Sequence, residues 1–140
     1  MTAEENKILI RSAFESWGRG EGNFYSLLAD DATWTITGSS PVAGTYTSRQ
    51  EFLDRAIQPI FERLSEPIRP DVKDLIAEGD LVVALWEGRA TALDGVPYDN
   101  TYCWVMRVVD GKVTTATAFF DSPALTELFE RFEVSATKAP

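Results

Sequence analysis

Residues 67–120 read PIRPDVKDLIAEGDLVVALWEGRATALDGVPYDNTYCWVMRVVDGKVTTATAFF and divide into four strand-like runs, Pro67 to Ala77, Leu81 to Leu93, Tyr98 to Val109 and Val113 to Phe120. The breaks are turn chemistry. Asp110-Gly111 is a two-residue hairpin signal, Glu78-Gly79-Asp80 a second, and Asp94-Gly95-Val96-Pro97 a longer loop, because glycine and aspartate supply the backbone angles that tight hairpins need. Three helical stretches precede this meander and one follows it. Helices followed by antiparallel strands predict an α+β fold, a cone-shaped barrel in which a long curved antiparallel sheet wraps the N-terminal helices. Ligand pockets form in the apolar mouths of such cones.

Upstream, Thr2-Ala3-Glu4-Glu5 has capping-box spacing, and Ile10, Ala13, Phe14 and Trp17 recur at helical intervals until Gly18-Arg19-Gly20. Asn23 is placed to cap a short helix through Leu28, and Ala32 to Thr37 alternates as a strand. A second capping box, Ser48-Arg49-Gln50-Glu51, opens a helix with a broad apolar stripe that Pro59 should kink or split. Asp121-Ser122-Pro123 starts a terminal helix, and Val134 to Pro140 reads as a frayed tail. No linker or repeat interrupts the chain, so residues 1–140 are expected to form a single domain with one core.

Composition narrows the chemistry. With 22 acidic against 13 basic residues the net charge is −9, which opposes nucleic-acid backbones and anionic membranes as partners. No apolar run is long enough to cross a bilayer, the first residues do not resemble a signal peptide, and one cysteine forms no internal disulfide. A cytoplasmic protein is the expectation. Histidine is absent, which removes imidazole bases, Ser-His and Cys-His pairs and histidine metal clusters. Acid–base work falls to carboxylates, tyrosines, lysines or Cys103. Neither a metal nor a cofactor is expected, and Gly38 to Gly44 has no phosphate-loop pattern.

The stretches LADDATWTITGSSPVAGTYTSRQEF (28–52), EGDLVVALWEG (78–88), YDNTYCWVMRVVDGKV (98–113) and AFFD (118–121) resemble the SnoaL-like polyketide cyclases of the nuclear transport factor two-like superfamily, which also holds ketosteroid isomerase and limonene epoxide hydrolase. The resemblance runs from about Asn6 to Phe132. It implies a cone with a pocket under the first and third helices and a homodimer through the outer sheet face. Laid on ketosteroid isomerase, the polarising tyrosine falls on Ala13, the aspartate base on Ile36 and the oxyanion aspartate on Cys103, so that mechanism is lost. Against limonene epoxide hydrolase the strand acid falls on or beside Glu87, its arginine near Leu85 or Trp86, and a further aspartate on Ala118.

The same overlay implies a strand phase. Val83, Leu85, Glu87, Arg89, Thr101, Cys103 and Val105 face the pocket with Trp34, Ile36, Ala116, Ala118 and Phe120, while Trp86, Tyr102, Trp104 and Met106 form the dimer surface. A register error of one residue would exchange the two sets. Glu87 is the candidate acid–base group, because an acid inside an apolar cone is held protonated toward neutral pH; Arg89, two residues on, is its catalytic partner. The bland alternative is a Glu87–Arg89 salt bridge at the rim or in solvent. Trp17, Trp34, Ile36, Leu85, Tyr98, Asn100, Cys103, Ala118 and Phe120 are the candidate ligand contacts, though the favoured reading of Cys103 is an inert buried thiol and that of Asp121 a helix cap. The expected activity is binding of a small hydrophobic, carbonyl-bearing or cyclic molecule, with isomerase-, cyclase- or hydrolase-type carboxylate chemistry. The alternative is a non-catalytic binding module with a degenerate site. An adaptor using an exposed Trp86 and Trp104 is a third reading.

Overall fold

A computed structural model describes residues 1–132; the expected tail, Val134 to Pro140, lies outside the described residues. Helix α1 (Ala3–Gly18) opens on the capping box, with the Glu5 amide donating to Thr2 Oγ1 at 3.0 Å and the Thr2 amide to Glu5 Oε1 at 2.7 Å. Its buried face is Asn6, Ile10, Phe14 and Trp17. A 3-10 turn, Phe24–Leu27, replaces the expected short helix, and Asn23 precedes it without a side-chain cap bond. Strand β1 (Leu28–Ile36) then pairs with a short β2 (Gly44–Tyr46). The sequence gives no alternation long enough to announce β2.

At the second capping motif Ser48 Oγ accepts from the Glu51 amide, but Glu51 Oε1 accepts from Thr47 rather than from the cap itself. The helical run that follows bulges around its proline: α2 (Arg49–Phe52), a π turn (Leu53–Ile57) and α3 (Gln58–Phe61). Pro59 has no N–H to donate and its ring crowds the carbonyl four residues earlier. The preceding turn therefore widens, and the Gln58 amide reaches back to Leu53 O. The meander is β3 (Leu64–Glu78), β4 (Leu81–Ala92), β5 (Pro97–Val109) and β6 (Lys112–Phe120), followed by α4 (Ser122–Arg131). Asp121 occupies the α4 cap position, with proline in the first turn, yet its side chain makes no cap bond.

The six strands form one curved, unclosed sheet in the order β2-β1-β6-β5-β4-β3, in which only β1 and β6 run parallel. Helix α1 lies across β3 and β4. Among the described residues no helix is long and apolar enough to cross a membrane.

The phase of β4 and β5 is opposite to the expectation. Val82, Ala84, Trp86, Ala90 and Ala92 are buried on β4, and Tyr98, Asn100, Tyr102, Trp104, Met106 and Val108 on β5. Trp86, Tyr102, Trp104 and Met106 thus form the core, not a dimer surface. Their alternates, Val83, Leu85, Glu87, Arg89, Thr101, Cys103 and Val105, are exposed or half-buried on the outer face. The physical reason is charge. On these two strands the outer set holds Glu87, Arg89, Asp99 and Arg107 while the inner set holds no charged residue, and unpaired charges are excluded from a packed interior. On β1 and β6 the expected phase holds: Trp34, Ile36, Ala116 and Ala118 are buried.

Gly88 belongs to the inner set and makes room for rings. A Cβ there would stand 3.0 Å from Ile68 Cγ2, 3.0 Å from Trp86 Cζ3 and 3.1 Å from Tyr102 Cε2. The two rings are stacked face to face with centroids 4.0 Å apart, so neither can give way. Gly88→Ala is expected to lower stability by about 1–3 kcal/mol in urea denaturation, as overpacking does. An unchanged or raised midpoint, the usual result of removing a strand glycine, would contradict this packing.

Candidate functional site

Inside the cone, aromatic rings nearly fill the space. Trp34 stacks on Phe52 at 4.5 Å, and Trp104 meets both Trp34 and Trp86 edge-on at 4.8 Å. The cavity that remains is about 40 Å³, walled by Tyr25, Trp34, Trp86, Tyr98, Tyr102 and Trp104 with Ile36, Ala118 and Phe120 from the sheet and Phe52, Ile57 and Ile60 from the helical run. The π turn supplies Ile57 directly to this wall. Helix α4 adds Leu125. Its far end is tied down by Arg63, whose Nη1 and Nε donate to Pro59 O at 2.6 Å and Phe132 O at 3.1 Å, with the guanidinium 4.0 Å from the Phe129 ring.

The polar groups are few and ordered. Asn100 Oδ1 accepts from the amides of Thr101 and Asp121, both at 2.9 Å, and its Nδ2 donates to Asp121 O at 3.1 Å and Tyr98 Oη at 3.0 Å. Tyr98 and Tyr102 then share one hydrogen bond at 3.4 Å. Two hydroxyls with two protons make one bond between them, so one O–H remains to donate elsewhere. Trp86 Nε1 is buried without a partner among the described residues. Burial raises the pKa of Tyr25, Tyr98 and Tyr102, the last well above the ordinary value, because a phenolate would be stranded in an apolar medium. All three are therefore neutral donors at physiological pH. Such an array hydrogen-bonds a carbonyl or phenolic oxygen but has no group that accepts a carbon-bound proton.

The expected site residues are split by the phase reversal. Trp34, Ile36, Tyr98, Ala118 and Phe120 line the cavity, and Asn100 supports it from behind. Trp17 is buried beside it and lines an adjoining hollow. Leu85 and Cys103 face outward as cross-strand partners. Glu87 and Arg89 also face outward, around a shallow polar depression shared with Asp99 and Asp121. The Glu87 side chain is 42% exposed, and its cationic neighbour is Lys73 at 3.9 Å rather than Arg89. Glu87 thus lies outside the apolar interior in which it was expected. Tyr25, Trp86, Tyr102, Trp104 and the helical-run residues are the wall members that the sequence reading missed. Among the described residues no group of three or more His, Cys, Asp or Glu side chains is placed to hold a metal.

A family model described as a SnoaL-like domain matches residues 10–116. No curated protein matches the sequence. Among solved structures, an NTF2-like protein of unknown function from Burkholderia pseudomallei K96243 is 23% identical with a TM-score of 0.73, covering 88% of this chain and 95% of that one. An NTF2-like protein from Burkholderia thailandensis E264 gives 20% and 0.74, covering 92% and 98%. TerC, co-crystallised with polyporic acid, gives 21% and 0.72, covering 89% and 98%. At these identities the likeness is one of fold.

The tyrosine cluster sets a pH dependence. Each folded-state pKa lies above the value of about 10 for an unfolded tyrosine, so the contribution is intact below about pH 10 and is lost as pH rises toward the folded values. Stability should fall by up to about 1.4 kcal/mol per pH unit for each of the three. Urea denaturation across the alkaline range measures the slope, and Tyr25→Phe, Tyr98→Phe or Tyr102→Phe should each reduce it.

Proposed function

Since the chain belongs to the SnoaL-like domain family, we propose that its cone binds a small hydrophobic cyclic molecule bearing a carbonyl or phenolic oxygen, and that it does so without transforming it. One observation carries this reading: among the described residues, the cavity wall bears no carboxylate, amine, guanidinium or thiol, and its only ionisable groups are tyrosines held neutral by burial. The apolar rings take the hydrocarbon body, and the remaining O–H of the Tyr98–Tyr102 pair takes the oxygen.

Calorimetric titration with acetophenone and its near-isostere α-methylstyrene tests both halves. The ketone should bind about tenfold more tightly, the size of one net hydrogen bond. The double substitution Tyr98→Phe, Tyr102→Phe should erase that preference, and the ketone should be recovered unchanged. Equal affinities in the parent would remove the oxygen contact, and a converted product would restore the catalytic reading.

For the partner, we propose a second copy of this chain on the outer sheet face. Register places Leu85, Cys103 and Phe119 in one cross-strand row and Val83, Val105 and Thr117 in the next. Phe119 is 47% exposed. Such a row of apolar groups on an uncovered sheet face favours self-association. Sedimentation of the parent should give a dimer and Phe119→Lys a monomer with an unchanged circular dichroism spectrum. A monomeric parent at tens of micromolar would rule the interface out.

A further inference from the structure

The cavity of about 40 Å³ is much smaller than the roughly 150 Å³ that accommodates benzene in an engineered protein cavity, so a ring enters only if part of the wall moves. Next to it lies a second hollow of about 280 Å³, open to solvent between the end of α1, the loop after it and the start of β3. Two residues, Phe61 and Ile68, line both spaces. We propose that the two hollows are chambers of one ligand site, that Phe61 is the movable partition between them, and that the natural ligand is an elongated apolar molecule of two or more rings with its oxygen-bearing end inside. This rests on the binding reading above and specifies the ligand class that reading leaves open.

Three features make this partition the movable part of the wall. Phe61 is only half-buried and stands at the C-terminus of α3, past the π turn and Pro59, where the helical run ends. It takes part in none of the ring-to-ring contacts that lock Trp34, Trp86, Tyr102 and Trp104 to their neighbours, so turning it aside breaks no stack. Ile68 lies between two pairs of the β3–β4 ladder, Glu66 with Thr91 and Arg69 with Arg89, where the register shifts. Such irregularities re-aim side chains and end regular pairing, often beside functional sites. The outer chamber has suitable walls. Trp17, Pro67, Ile68 and Phe61 present apolar surface, Gly18, Gly20 and Gly22 leave room opposite them, and the polar lining, Arg19, Asn23 and Arg69, belongs to a space that opens to solvent.

The test compares acetophenone with 4-acetylbiphenyl, which carries the same carbonyl end and one more ring. In the parent the biphenyl ketone should bind at least tenfold more tightly. Asn23→Trp and Pro67→Trp each place an indole in the outer chamber from exposed rim positions, and both should reduce that ratio to near one. Phe61→Ala should accelerate association of both ketones at least tenfold in stopped-flow fluorescence, using the buried tryptophans as reporters. If acetophenone binds but the biphenyl ketone gains nothing, or keeps its advantage in both tryptophan variants, the two-chamber site is wrong while the binding reading stands. If neither ketone binds the parent or the Phe61→Ala variant, the binding reading fails and this inference fails with it.

Discussion

The Trp86 indole lies on the Tyr102 ring with centroids 4.0 Å apart and planes 12° from parallel, and the two residues are directly opposite each other on β4 and β5. Because side chains alternate along a strand, anchoring this one pair on the concave side fixes every other residue of both strands. Trp104, opposite Ala84, extends the same layer toward Phe14, Phe24 and Trp34 on the helices and β1. The small inner residues of β4, namely Ala84, Gly88, Ala90 and Ala92, are the complement of that layer. They leave thickness for rings contributed from β5 and the helices, as close packing of a curved sheet requires.

Within this aromatic layer the polar atoms form one chain of dependence. Asn100 joins β5 to the β6–α4 junction through two hydrogen bonds to Asp121, and its other two, within β5, accept from the Thr101 amide and donate to Tyr98 Oη. That donation holds the Tyr98 hydroxyl in place beside Tyr102, so the one O–H the pair has to spare is presented from a fixed position. Asn100 is thus a positioning residue with no exposure to the cavity. The placement of α4, which contributes Leu125 to the wall, depends on the same junction at one end and on Arg63 at the other.

How far the sequence can be read depends on which signal a segment carries. The hairpins at Glu78-Gly79, Asp94-Gly95 and Asp110-Gly111 and the capping box at Thr2 to Glu5 are local, and each element they bound is present. The strand phase is not local. On β4 the outward residues Leu81, Val83 and Leu85 are bulkier than inward Ala84, Gly88 and Ala90, so the first half of the strand reads as apolar on both faces and leaves its phase open. The decisive sign was present in the placement of charge, since Glu87 and Arg89 share parity with Leu85, and Asp99 and Arg107 with Cys103. Tyr98 and Asn100 already pointed to the other parity, with Tyr102 and Trp104. The π turn and β2 carry no comparable pattern, the first arising from a proline seen only as a breaker and the second from three residues.

One pairing also orders events along the chain. Among the described residues the one parallel strand pairing joins β1 to β6, and the Thr37 hydroxyl beside it donates to Ala118 O across 81 residues of sequence. Thr37, Ile36 and Trp34 have no neighbour on that side until the last strand is in place, and forming so distant a contact must overcome the entropy of closing a long loop. The local hairpins of β3 to β6 can assemble first. In that order the Trp34 and Ile36 side of the aromatic layer is closed last, and β1 keeps an unpaired edge on that side until β6 is in place.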